Sequence, residues 1–244
     1  YPALALVPML AAWLFEAAVS YTPAWAIVVT LVDAVAFAVL LGDARSRGRA
    51  LAAAFWLTFM VALGPVGLYR LEGITVPLAI MGCLWLIRRP WLGSALLAAG
   101  TWIKVWPAAL LAAAVVAVRR RLAIVGGALI VSAATIAVVL ALGGGRYLFG
   151  FITDQTGRGL QIEAPVSAPY MWFAALDVLD SRVYYASDLL TFQVSGPGVN
   201  EVIAVMTPLL AASVLALLLL GLWGVRRGAP VVRLYPALAF ALVL

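Results

Sequence analysis

The sequence predicts an all-α polytopic membrane protein, and three observations favour this class. First, 66% of the 244 residues are hydrophobic and only 11% are charged. Second, the apolar residues form continuous runs of about 20, whereas the strands of a membrane β-barrel would alternate apolar and polar residues. Third, arginines gather in short clusters between these runs, as they do in cytoplasmic loops. Helices satisfy their own backbone hydrogen bonds, so they are the structure expected in hydrocarbon.

The predicted helices follow from the apolar segments and from the chain's ends. The sequence begins without a methionine and stops within an apolar run, so we expect an internal fragment of a longer membrane protein, with a truncated last helix. The apolar segments are residues 2–19, 24–42, 50–69, 74–87, 91–118, 122–142, 201–224 and those from 234 onward.

The arginine clusters predict the topology. Clusters at 45–49, 88–89, 119–121 and 226–233 hold most of the arginines, and placing them in the cytoplasm leaves the stretch after Gly143 outside. We therefore expect transmembrane helices over 1–142, an extracytoplasmic loop or cap over 143–200, and transmembrane helices over 201–244. Within the cap, "APYMWFAALDVL" predicts a short interfacial helix and "RVYYASDLLTFQVSGPG" a small hairpin.

Segment 91–118 is too short for the path it must take. It joins two cytoplasmic clusters, and two full crossings would need about 40 residues. Its middle, "GTWIKVWP", contains a glycine, a lysine and a proline, which break helices. We therefore predict a broken or re-entrant pair of half-length helices at 91–118, whose apex lines a cavity within the protein.

Composition excludes several kinds of function. The net charge of +6 does not indicate nucleic acid, because the arginines lie between apolar runs; we predict no nucleic-acid partner. The chain has no histidine and one cysteine, Cys83, which excludes histidine catalysis, disulfide frameworks and Cys/His metal sites. No metal site is predicted and no cofactor is required by the sequence, although carboxylates leave a divalent metal open.

Three charged residues in the helical part are candidates for a site. Lys104 is the only lysine and lies in the middle of the broken segment, where a charge needs a partner such as a phosphate or a carboxylate. The structural alternative is that Lys104 snorkels or pairs with Asp33 or Glu16. Arg70 and Glu72, beside a glycine and a proline at the predicted outer end, can both face a cleft; the alternative is a solvated turn.

The polar stretch "TGRGLQIEAPVSAP" supplies the remaining candidates on the same predicted side. Arg158 is suited to a phosphate, whereas Gln161 and Glu163 are suited to sugar hydroxyls, and Glu163 can also accept a proton. Gln155 precedes them. The alternative is a cap and salt bridge for the helix that follows.

Several segments together resemble a known family. In order, "YPALALVPMLAAW", "GPVGLYRLEGITVPLAI", "GTWIKVWPAALL" and "DQTGRGLQIEAP" followed by "FQVSGPG" resemble actinobacterial members of glycosyltransferase family 87. These are polyprenol-phosphate-sugar-dependent enzymes of the C-type superfamily, related to the mannosyltransferases of phosphatidylinositol mannoside synthesis. The resemblance covers most of the chain, and "RGLQIE" is its most specific motif.

The resemblance implies a C-type helical bundle in the cell membrane, with an extracytoplasmic cavity that takes a polyprenyl-phosphate sugar donor and a lipid or glycan acceptor. It implies transfer of a hexose, mannose in the related enzymes. It also implies an aspartate base in an outer loop preceding "YPALALVP", outside this sequence, so the catalytic base is unassigned and Glu163 and Glu72 are only candidates. Lys104, Arg70 and Arg158 are the expected donor-phosphate contacts.

The resemblance conflicts with the arginine topology at the start of the chain. It places Tyr1 near the outer face, whereas two full crossings before the cluster at 45–49 would place it inside. A shallow or re-entrant helix over 2–19 would reconcile the two.

Two other function classes were weighed. A secondary transporter is favoured by the helix break and by the membrane carboxylates Glu16 and Asp33, but it predicts a second, symmetry-related broken segment that the sequence does not display. A lipid-handling or scaffold membrane protein would not need the charged, glycine-framed outer loop.

Overall fold

The computed structural model describes residues 2–16, 18–150 and 159–243. These residues are mostly helical, with one small hairpin of strands β1 (Arg182–Ala186) and β2 (Thr191–Ser195). The α-helices among them are α1 (Leu6–Trp13), α2 (Tyr21–Leu41), α3 (Arg47–Leu63), α4 (Pro65–Tyr69), α5 (Glu72–Trp85), α6 (Pro90–Ile103), α7 (Pro107–Ala117), α8 (Arg121–Ala141), α9 (Ala168–Ala175), α10 (Val199–Arg226) and α11 (Val231–Val243).

Three of these helices are long and apolar enough to cross a membrane. They are α2, α8 and α10, with 21, 21 and 28 residues. At about 1.5 Å per residue, each reaches or exceeds the roughly 30 Å of a bilayer's hydrocarbon core. This confirms the predicted class, a helical membrane protein. Sidedness and the C-type arrangement stay predictions.

Besides 91–118, two of the predicted apolar segments do not form single long helices. The segment at 2–19 contains a 3-10 turn followed by α1, whose eight residues extend about 12 Å, too short to cross. This length agrees with the shallow alternative for the start of the chain. The segment at 50–69 is divided at Gly64, which has φ +53° and precedes Pro65, the first residue of α4. A left-handed glycine followed by proline ends one helix and starts the next.

Segment 91–118 consists of two short helices with a break between them. Helix α6 ends at Ile103, Lys104 is extended (φ −151°, ψ 136°), and Pro107 begins α7. Proline has no backbone N–H to donate, so it fits the first position of a new helix. A Cβ on Gly100 would lie 3.3 Å from Cγ of Pro107, so glycine lets the second helix start close to the first. The depth of this break in a membrane stays a prediction.

Small residues bring the helices of this region together. A Cβ on Gly93 of α6 would lie 2.7 Å from the carbonyl oxygen of Gly82 and 2.7 Å from Cα of Leu86, so α5 and α6 touch along their backbones. Membrane helices, which lack a hydrophobic driving force between them, often pack through such contacts. Leu97 and Ile124 are fully buried beside this contact.

The chain divides into two compact units, Tyr1–Leu148 with Leu217–Leu244, and Phe149–Ala216. In the second unit, β1 and β2 pair antiparallel from Arg182 opposite Ser195 to Ala186 opposite Thr191, which confirms the predicted hairpin. Helix α9 confirms the predicted short helix, whereas its interfacial location stays a prediction. A small core of Leu160, Val194 and Val199 holds this unit together.

Candidate functional site

A charged cluster forms where the helix break meets the start of α5. The Nζ atom of Lys104 donates a hydrogen bond to Oε1 of Glu72, and Nε of Arg70 lies 3.9 Å from Oε2 of the same carboxylate. Arg70 precedes α5, Glu72 is its first residue, and Lys104 follows α6 directly. The structure thus brings together three of the predicted site residues, and we call them the Glu72 cluster.

The Glu72 cluster is half-buried and carries one uncompensated positive charge. The side chains of Lys104, Glu72 and Arg70 are 29%, 37% and 59% exposed, so Arg70 is the most accessible of the three. Burial alone would raise the pKa of Glu72, but the hydrogen bond from Lys104 and the charges of Lys104 and Arg70 bring that pKa below its usual value. Glu72 is therefore ionised at neutral pH, a better hydrogen-bond acceptor than proton acceptor.

Backbone and side-chain contacts fix the position of Lys104. Its N–H donates to the carbonyl oxygen of Gly100 at 2.8 Å, which holds the residue to the end of α6. Two residues on, Nε1 of Trp106 donates to Oγ1 of the fully buried Thr75 at 3.1 Å. These bonds connect the helix break to α6 and α5. They therefore fix the backbone from which the Lys104 side chain reaches Glu72.

The partner of Lys104 is a carboxylate, but neither of the two acids named in the structural alternative. Neither Asp33 nor Glu16 forms an ion pair with it; the partner is Glu72, 32 residues away in the chain. Asp33 lies within α2, and its Oδ1 is buried without a hydrogen bond among the described residues. Glu16 is exposed beyond the end of α1. The pairing depends on how α5 and α6 pack, which sequence spacing does not reveal.

Arg70 and Glu72 line a cleft of about 300 Å³. Three aromatic side chains, Tyr21, Trp25 and Tyr69, share its wall, and Nε1 of Trp25 is fixed by donating to the carbonyl oxygen of Leu68 at 3.0 Å. The remaining lining residues are Met9, Thr22 and Leu71. These aromatic residues were not among the predicted site residues. The available signal was Tyr21 and Trp25, four residues apart and hence on one face of α2.

The other candidates lie elsewhere or are not described. Gln161 forms an isolated bridge with Gln193, where N–H of Ile162 also donates to the carbonyl oxygen of Phe192 at 3.2 Å. Glu163 is exposed in the following turn and forms no ion pair with any described residue. Both belong to the second unit. Gln155 and Arg158 lie outside the described residues, so a cavity shared with the Glu72 cluster stays a prediction.

The cap considered for the helix that follows the polar stretch is not formed by Ser167, which occupies the N-cap position of α9 and makes no side-chain cap hydrogen bond there. Its hydroxyl proton is instead shared between two backbone carbonyl oxygens, that of Ala164 at 2.6 Å and that of Ile162 at 2.9 Å. This hydroxyl therefore closes the turn ahead of α9.

Together, the helices and the cluster define a helical membrane protein with a charged, aromatic-walled cleft. Across residues 2–16, 18–150 and 159–243, no group of three or more acidic, histidine or cysteine side chains gathers as a metal site would require. The chain matches no protein-family model, no curated protein and no solved structure.

Proposed function

We propose that this chain belongs to an integral-membrane glycosyltransferase of the C-type superfamily. It transfers a hexose, mannose by resemblance to glycosyltransferase family 87, from a polyprenyl-phosphate donor to an extracytoplasmic lipid or glycan. The enzyme spans the cell membrane several times, with its active side extracytoplasmic. The observation that carries the proposal is the Glu72 cluster, which places a carboxylate between two cations at the edge of a cleft.

The chemistry of a glycosyl phosphate suits such a site. The donor already contains its leaving group, so the enzyme has to neutralise the developing phosphate charge, orient the sugar and deprotonate an acceptor hydroxyl. Arg70 serves the need to neutralise the phosphate, because it lines the cleft, is the most exposed residue of the cluster and has a guanidinium that can bind a phosphate through two N–H donors.

The wall of the cleft is suited to orienting the sugar. The apolar face of a pyranose ring packs on aromatic side chains, which Tyr21, Trp25 and Tyr69 supply. The hydroxyl of Thr22 and the carboxylate of Glu72 accept hydrogen bonds from sugar hydroxyls. A volume of about 300 Å³ is at the lower end of small-molecule sites, enough for one sugar ring and its phosphate.

Lys104 has two roles in this proposal. It adds positive charge near the donor phosphate, and through its hydrogen bond it sets the position of the Glu72 carboxylate. From the second unit, Arg158 is proposed to contact the donor phosphate, while Gln155, Gln161 and Glu163 are proposed to contact the sugar or the acceptor.

The proposal is tested by replacing the cation that faces the cleft. In the full-length protein in membrane vesicles, Arg70→Gln should lower hexose transfer from polyprenyl-phosphate mannose by at least about 100-fold, since a donor aimed at developing charge has an effect of that size. Transfer is measured with radiolabelled donor. Arg182→Gln is the matched control, because Arg182 is exposed and, among the described residues, pairs only with Asp180, at 2.9 Å. Unchanged transfer by Arg70→Gln would refute the assignment of the cleft.

A further inference from the structure

A second, apolar groove runs along most of α5, from Val76, one turn after Glu72, to Leu84. It has a volume of about 410 Å³ and is bounded by α2, α5 and α7. Helix α5 supplies one continuous stripe at helical spacing, from Val76 to Leu84, about 12 Å along the axis. The lining residues are Leu40, Val76, Ala79, Ile80, Cys83, Leu84, Trp106 and Leu110.

The groove offers almost no hydrogen bonds to a ligand. Its polar atoms are the Cys83 thiol, which lies 3.2 Å from the hydroxyl of Tyr235, and the Trp106 indole N–H, which donates to Thr75. Because both are already engaged, only an apolar chain gains by entering, through burial of its carbon surface.

One end of the groove is positively charged. At the end of α2, Nε of Arg49 donates to the carbonyl oxygen of Leu40 at 2.6 Å, and its Nη2 donates to that of Val39. At the end of α5, N–H of Arg89 donates to the carbonyl oxygen of Trp85 at 2.7 Å, so the helical winding continues past the last helical residue. This winding places Arg88 one turn beyond Leu84, on the same stripe.

No acidic group identified at this end compensates these cations. Arg88 is exposed and forms no ion pair or side-chain hydrogen bond with any described residue. Asp43, the acid that follows α2, pairs with Arg45 at 3.7 Å. The end of the groove therefore attracts an anion while its length accepts a hydrocarbon chain.

We propose that the groove binds one acyl chain of an anionic glycerophospholipid, with the lipid's phosphate headgroup at Arg88 and Arg49. Basic side chains at the ends of membrane helices attract anionic lipids, with about 1 kcal/mol for each arginine near the surface. This site shares no lining residue with the cleft of the Glu72 cluster, its proposed headgroup contacts lie beyond the end of α5, and it does not depend on the glycosyltransferase proposal.

Native mass spectrometry of the purified, detergent-solubilised protein tests the headgroup. Phosphatidylglycerol and phosphatidylcholine with identical acyl chains are supplied together, and we expect phosphatidylglycerol to be retained preferentially. Arg88→Gln should reduce this preference by about fivefold. Arg182→Gln, which removes an exposed arginine of the second unit, should leave it unchanged. Equal retention of the two lipids, or loss of the preference in Arg182→Gln rather than Arg88→Gln, would overturn the proposal.

The position of the acyl chain is tested by filling the groove with a larger side chain. Ile80→Trp should abolish retention of the lipid, whereas Leu129→Trp, at a 62% exposed position on α8, should not. A measurement on the unaltered protein guards against misfolding of the variant. Cys83 lines the groove and is the only cysteine of residues 1–244, so the rate of its alkylation by N-ethylmaleimide, followed on the peptide that contains it by mass spectrometry, reports whether the groove is occupied. Alkylation should be slower with phosphatidylglycerol than with phosphatidylcholine. Equal rates, or lipid retained equally by both tryptophan variants, would contradict a chain in the groove.

Discussion

At the scale of single residues, the central feature is a carboxylate held by two cations. Lys104 approaches Glu72 from the end of α6, and Arg70 approaches it from the preceding turn. The position of Glu72 at the first residue of α5 is itself favourable, because a helix N-terminus carries partial positive charge. Partial exposure weakens each pair, so we expect the cluster to order the site more than to stabilise the fold.

A double-mutant cycle measures the coupling within this pair. Lys104→Gln and Glu72→Gln should each lower the free energy of unfolding by about 1 kcal/mol, and the double variant should lose less than the sum. Unfolding is followed in detergent by a denaturant titration. A coupling energy of zero would mean that the hydrogen bond between Lys104 and Glu72 contributes nothing to holding the helix break against α5.

At the scale of elements, glycines decide how closely α5 and α6 pack, and therefore where Lys104 meets Glu72. The backbone contact at Gly93 leaves no room for a methyl group, since both neighbours of its would-be Cβ are backbone atoms. Small residues at this crossing are thus a requirement of the fold and, through the fold, of the site.

Substitution at this crossing should be costly. Gly93→Ala should lower the free energy of unfolding by about 1–3 kcal/mol, as overpacking does in other cores. Gly48→Ala is the matched control, because at that exposed position in α3 a Cβ would have only Ser46 nearby, at 4.0 Å, and alanine favours helix. Equal stability of Gly93→Ala and the unaltered protein would show that the helices can separate without cost.

Residue types that break helices or favour strands predicted many of the elements. The contacts between elements could not be predicted from the sequence. The glycine, lysine and proline of "GTWIKVWP" marked the break after Ile103, and flanking aromatic residues marked the hairpin. The division at Gly64 had an equally local signal, a glycine followed by proline, but was hidden by the surrounding apolar run. The partner of Lys104 had no such signal, because it is set by packing between α5 and α6.

The aromatic wall of the cleft escaped prediction for a different reason. Tyrosine and tryptophan at the ends of apolar helices are typical of membrane interfaces in general. Their presence at Tyr21, Trp25 and Tyr69 therefore did not distinguish a binding cleft from an interfacial belt until the lining residues were seen together.

At the scale of the whole molecule, the chain is a helical membrane protein made of two compact units. The first contains the Glu72 cluster, its cleft and the apolar groove, and the second contains the hairpin with Gln161 and Glu163. In the proposed enzyme, the cleft of the first unit binds the donor's phosphate and sugar. The second unit adds Arg158 to the donor phosphate, and its remaining candidates contact the sugar or the acceptor. This division of roles makes the carboxylate of Glu72 the natural point at which to test the reaction.

The most direct test is hexose transfer by the full-length protein reconstituted in vesicles with radiolabelled polyprenyl-phosphate mannose and a lipid extract as acceptor. The account predicts labelled product from the unaltered protein and at least about a tenfold loss in Glu72→Gln, because a hydrogen bond to a charged group contributes about 1.5–3 kcal/mol. Asp180→Asn, an exposed acid in a surface pair, should be unaffected. No transfer by the unaltered protein, or equal transfer by Glu72→Gln, would contradict it.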